Sequence, residues 1–173
     1  MIDASSVAVL ALGAAAAAID SATRRIPNAL TLTAAVAGIV FGGISGGVHG
    51  LGWSVAGWFV GLLLFLPLFA LRAMGGGDVK LLAALGAWLG PALVCWVAVY
   101  GAIAGGALAL PLVLWRGRLR TTIANMWGVV THWRLAGVQP HPVVTLDNPD
   151  ALRMPYALPI ALGVLVTLWL RVW

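Results

Sequence analysis

The chain has 173 residues, 62% of them hydrophobic and 9% charged, with a mean hydropathy of +1.02. That much apolar surface excludes a water-soluble domain, whose core would have to be covered by charge; lipid is the solvent for most of the chain, and the length allows one compact bundle with no sizeable soluble domain. The net charge of +5 and pI near 10.7 do not signal nucleic acid, because Arg24/Arg25, Arg72/Lys80 and Arg116/Arg118/Arg120 lie in short segments between apolar runs, and no basic face with interleaved aromatics exists for tracking phosphates.

Apolar runs bounded by Gly, Pro or charge predict an all-α fold, a polytopic membrane bundle of about six transmembrane helices in a single membrane-embedded domain covering 1–173. Residues 5–20 form the first span; with no basic n-region and an end at Asp20, it does not read as a cleavable signal. The second covers 29–46 and the third 51–71, long enough for a hydrocarbon core of about 30 Å. Three glycines at 75–77 precede a short fourth helix, 78–89, which rises only about 18 Å at 1.5 Å per residue and is expected to be tilted or to lie against the fifth. Pro91 opens the fifth span, which runs to 115, and Cys95, the sole cysteine, is expected to pack within it as a small hydrophobe. Between the fifth and sixth spans, residues 117–154 form a cytoplasmic segment. Its first half carries Leu119, Ile123, Met126/Trp127, Val130 and Trp133 at spacings of three and four, an amphipathic helix expected to lie on the membrane surface rather than pack on the bundle. Residues 139–149 read as loop, and the last span is 155–173. Placing 21–28, 72–80 and 116–153 on one side collects nearly every Lys and Arg there, so that side is expected to be cytoplasmic, with both termini outside and Arg171 snorkelling to headgroups.

The chain has no Glu, and its carboxylates are Asp3, Asp20, Asp78, Asp147 and Asp150. Asp3 is terminal, while Asp147 and Asp150 fall in the polar loop. Asp20 and Asp78 each sit at the cytoplasmic end of an apolar helix, at one membrane depth, where an acid is costly to insert. Plainer roles exist for each: Asp20 could pair with Arg24 one turn later, and Asp78 could cap its helix after the glycines. Two boundary acids on one face weigh more than either alone, and the glycines permit close backbone approach and unusual dihedrals.

The flanking residues decide between these readings. Asp20-Ser-Ala-Thr-Arg24-Arg25-Ile26-Pro27-Asn28 resembles the first active-site segment of the type IV prepilin peptidases, in which an Asp precedes a Pro-Asn or Pro-Asp turn by seven positions. Gly75-Gly76-Gly77-Asp78-Val79-Lys80 resembles the second, Gly-x-Gly-Asp-x-Lys, and Pro155-Tyr156-Ala157-Leu158-Pro159 is similar to the family's final-helix signature. The resemblance implies an aspartic endopeptidase of the cytoplasmic (inner) membrane, with its site facing the cytoplasm, that removes the short basic leader of prepilins. It carries over Asp20 and Asp78 as catalytic, and Gly75, Gly77, Lys80, Pro27 and Asn28 as substrate-binding or motif-supporting positions. Larger members carry a cytoplasmic cysteine-rich segment and many methylate the new N-terminus. With Cys95 alone, this chain looks like the minimal form that serves tight-adherence (Flp) pili, and methylation is not expected. The archaeal preflagellin peptidases share that layout. The implied partners are prepilin substrates and the lipid bilayer, with a homo-oligomer left open.

Two carboxylates in one site do not both ionise easily; at 4–5 Å and an effective dielectric near 20 their repulsion is roughly 3–4 kcal/mol. A charged member then takes a proton from water while a protonated one donates to the oxyanion, with no cofactor and no metal. His49, His132 and His141 read as dispersed, and Ser5 and Ser6 have no nearby base. A presenilin-like intramembrane protease is a second enzyme reading, and a small proton-coupled transporter with Asp20 and Asp78 as relay is a reading from another class. Paired broken helices in related halves, the mark of such transporters, are not evident in the sequence.

Overall fold

A computed structural model describes residues 3–142, 144–145 and 154–172. Asp147 and Asp150 lie outside the described residues, and so does the side chain of Arg171. Five helices follow in order: α1 (Ala4–Thr23), α2 (Asn28–Ala70), α3 (Gly76–Trp115), α4 (Leu119–Ala136) and α5 (Ala157–Val172), with no strand among the described residues. The helices α1, α2 and α3 are long and apolar enough to cross a membrane, and α5 carries a shorter apolar stretch, Ala157–Leu170.

The helices differ in number and bounds from the six expected because α2 and α3 each continue through a break in the backbone. At Gly47 the backbone of α2 takes φ 59°, ψ −145°, and at Gly90 that of α3 takes φ 79°, ψ 175°. A glycine meets such angles without the penalty a Cβ would add. At both points the chain doubles back. Gly42 and Gly50 touch through their backbones, although eight residues of unbroken helix would hold them about 12 Å apart. Tyr156 lies against Gly105 in the second half of α3 and within electrostatic reach of Asp78 in its first turn, which only a reversal at Gly90 allows.

Small residues set how close the resulting segments come. Gly57 meets Gly86 and Gly90, and Gly61 meets Leu82 and Ala83, so residues 51–70 and 76–89 run antiparallel in backbone contact. Gly163 meets Val97 and Gly101, and Gly13 meets Ala161, which seats α5 between the second half of α3 and α1. Such stripes replace the hydrophobic driving force that helices lack in lipid. Residues 76–89 are the centre of the bundle: Leu81, Leu82, Ala84, Leu85 and Ala87 are fully buried, and the Trp88 indole N–H donates to the Ala34 carbonyl at 2.8 Å. This segment rises only about 20 Å. The side chain of Cys95 faces outward from α3 rather than packing inside, because the inward face there is taken by Val94 and Val97.

The helix α4 stands apart, with no buried residue and contact to α3 alone among the described helices.

Candidate active site

Asp20 lies in the last turn of α1, 7% exposed. The helix runs a turn beyond the expected end and closes at Arg24, which adopts the left-handed conformation (φ 55°) and donates its backbone N–H to the Asp20 carbonyl at 2.8 Å. Pro27, at φ −62°, then caps α2, its carbonyl accepting from the N–H groups of Leu30 and Thr31. Asn28 opens that helix, and its Oδ1 accepts from Lys80 Nζ at 2.9 Å. The residues 24–27 thus form a short bridge from the end of α1 to the start of α2, lying over the start of α3.

On the facing side, Gly75 precedes α3 with extended angles, φ −74° and ψ 145°, and Asp78 stands in the first helical turn. Asp78 is not the helix cap, since Gly75 holds that position; its own backbone N–H donates to the Gly75 carbonyl at 3.2 Å. The glycines act through close approach and not through unusual dihedrals, for none of the three has a positive φ. A Cβ on Gly77 would lie 3.1 Å from Ile26 Cβ, and one on Gly75 would lie 3.2 Å from the Asp78 carboxylate. These contacts bring the two motif segments together.

Between them is a cavity of about 320 Å³ lined by Asp20, Arg24, Arg25, Ile26, the three glycines and Asp78. Its two carboxylates come from distant parts of the sequence and repel one another across it. Asp20 Oδ2 also accepts the backbone N–H of Ala157, at 3.3 Å, the first residue of α5. The unsatisfied N–H groups of a helix start are suited to a carboxylate. Sequence reasoning missed this contact. Its signal was the Pro155-Tyr156 turn before the last apolar run, which marks where a helix would begin. Tyr156 is held beside the site by an edge-on contact with Phe65, ring centroids 6.1 Å apart.

Lys80 and Asn28 are brought to each other, and neither they nor Pro27 line the cavity. Among the described residues no group of three or more His, Cys, Asp or Glu could hold a metal ion. The histidines are not all dispersed: after Gly137 (φ 80°) the chain folds back on α4, and the rings of His132 and His141 meet at 5.2 Å.

Residues 7–110 match the type IV leader peptidase family. The chain is similar to a protein of Burkholderia pseudomallei (strain 1026b) named prepilin leader peptidase/N-methyltransferase, with 39% identity over 131 residues, which cover 67% of this chain and 41% of the relative. A protein of the same name from Aeromonas hydrophila is 32% identical over 138 residues, covering 68% of this chain and 47% of the relative. One from Klebsiella pneumoniae is 43% identical over 81 residues, covering 43% and 35%. The chain matches less than half of the length of these curated relatives. No solved structure matches it.

Proposed function

Since the chain belongs to the type IV leader peptidase family, we propose that it is a membrane aspartic endopeptidase that removes the leader of prepilins at the cytoplasmic face of the inner membrane. The observation that carries this reading is the shared cavity: Asp20 and Asp78, the two acids of the family-like motifs, line one water-accessible space. The names of the relatives support prepilins as the substrate class.

Two acids that repel each other share a proton at lower cost than they share two charges. The charged carboxylate takes a proton from a water held between the pair, and the hydroxide attacks the scissile carbonyl. The protonated carboxyl donates to the developing oxyanion, and a proton passes to the leaving amine as the peptide bond breaks. The Ala157 N–H holds Asp20 Oδ2 in place during these steps, leaving its other oxygen for water. The extended backbone at Gly75, which has no side chain of its own and lines the cavity beside the Asp78 carboxylate, offers an edge along which a substrate strand can lie. The substrate enters from the side on which Arg24, Arg25, Arg72 and Lys80 gather, cytoplasmic by the positive-inside rule. On this reading α2 and α3, each reversed at its glycine, cross the membrane twice, and the total of six crossings leaves both described ends on the opposite side; the breaks at Gly47 and Gly90 support it.

The test is co-expression with a prepilin and a gel shift for leader removal. Asp20→Asn and Asp78→Asn, each present in membranes at the normal level, are expected to abolish processing, and a chelator is expected to leave the rate of the unmodified protein unchanged. Processing by either variant at the normal rate overturns the assignment.

A further inference from the structure

The helix α4 has two unlike sides. Gly128, Val129, His132 and Trp133 are partly covered, because the chain beyond Gly137 folds back over them: His141 lies against Gly128 and His132, and the Trp133 indole N–H donates to the Gln139 carbonyl at 3.0 Å. On a helix of 3.6 residues per turn, Ile123, Met126, Trp127 and Val130 form one stripe, with Trp133 at its covered edge. Nothing of the described chain covers them; Met126 is 65% exposed and Trp127 72%. The fold-back therefore covers one edge of the helix, at Gly128, His132 and Trp133, and leaves the stripe of Ile123, Met126, Trp127 and Val130 bare.

Two features identify what covers that stripe. The apolar surface continues directly from a membrane-crossing helix, since α3 ends at Trp115, itself 88% exposed, three residues before α4 begins. The stretch 116–136 also carries Arg116, Arg118, Arg120 and Arg134 and no acid. A protein partner would need an acidic apolar groove reaching down to the bilayer, whereas an anionic leaflet presents both chemistries at that depth.

We propose that α4 is a lipid-binding arm, with Ile123, Met126, Trp127 and Val130 inserted among acyl chains and Arg116 and Arg120 on the phosphates of anionic phospholipids. This goes beyond the peptidase reading and stands without it. The full chain in a Cys95→Ala background, with Met126→Cys or Thr121→Cys carrying a nitroxide, is reconstituted in phosphatidylcholine alone or mixed equally with phosphatidylglycerol. Collision rates with oxygen and with a water-soluble nickel chelate report depth. In the anionic bilayer the label on Met126→Cys is expected to favour oxygen and the label on Thr121→Cys to favour nickel. Arg116→Gln and Arg120→Gln are expected to reduce the lipid-facing population of Met126→Cys roughly five-fold each. Because α4 gives no residue to the buried core, these changes leave the bundle intact, and Val130→Cys supplies an independent reading. A nickel-accessible Met126→Cys label in the anionic bilayer, equal insertion in phosphatidylcholine alone, or spin–spin broadening from a second copy of the chain would each overturn the proposal.

Discussion

Lys80 Nζ donates to Asn28 Oδ1 at 2.9 Å across the start of two helices, and this hydrogen bond ties the Pro-Asn turn to the Gly-x-Gly-Asp-x-Lys segment. Because the pair is exposed, its net worth is at most about 1 kcal/mol. Lys80→Met is therefore expected to slow leader removal by no more than about five-fold, with unchanged membrane levels, while Asn28→Asp retains the link as an ion pair and keeps near-normal processing. A loss as complete as that of Asp78→Asn would mean that Lys80 touches substrate. Asp20 and Asp78 stand out in the sequence as acids at the ends of apolar helices, whereas Lys80 and Asn28 are singled out only by the resemblance to the family's motifs. The dihedrals of Gly75–Gly77 were not legible: glycine permits either a rare conformation or a close approach, and here Ile26 and the Asp78 carboxylate use the second.

At the scale of elements, the start of α5 takes part in the site through its backbone. Ala157 is the first helical residue, where proline is tolerated because the N–H has no helical partner. Ala157→Pro deletes the donor to Asp20 Oδ2, and a hydrogen bond to a charged group is worth about 1.5–3 kcal/mol. Processing is expected to fall roughly ten- to a hundred-fold, with Ala157→Ser, which keeps the N–H and adds bulk, close to normal. Equal loss in both variants would show that space at this buried position matters and the donor does not. The two reversals differ in a testable way. Gly47→Ala meets no atom within 4 Å and suffers only its backbone angle, whereas a Cβ at Gly90 would collide with the Trp53 indole. Gly90→Ala is expected to lower the thermal midpoint in detergent clearly more than Gly47→Ala does, since strain of about 1–3 kcal/mol is then joined by overpacking of similar size. The glycines at 46–47 and 90, with Pro91, marked both breaks in the sequence. That helical hydrogen bonding would persist so close to each turn was not visible, because apolar periodicity says nothing about how two segments are joined.

At the scale of the molecule, glycine stripes hold the segments at backbone contact, and the contact between residues 51–70 and 76–89 is the closest of these. The order of apolar runs and the one long polar connection were readable because a bilayer demands them. The outward position of Cys95 and the meeting of His132 with His141 were not, since both depend on which face of a helix its neighbours leave open. The segment 76–89 has a further consequence. Val79 and every residue from Leu81 to Ala87 are buried against other helices, so acyl chains do not reach this part of the rod that carries Asp78. Hydrophobic mismatch should be absorbed by the outer helices, which tilt at a modest cost, while the inner rod keeps its place. Cleavage rates in reconstituted bilayers of 14- to 20-carbon lipids are therefore expected to vary less than about three-fold. A steep optimum at one chain length would mean that the sheath transmits thickness to Asp20 and Asp78.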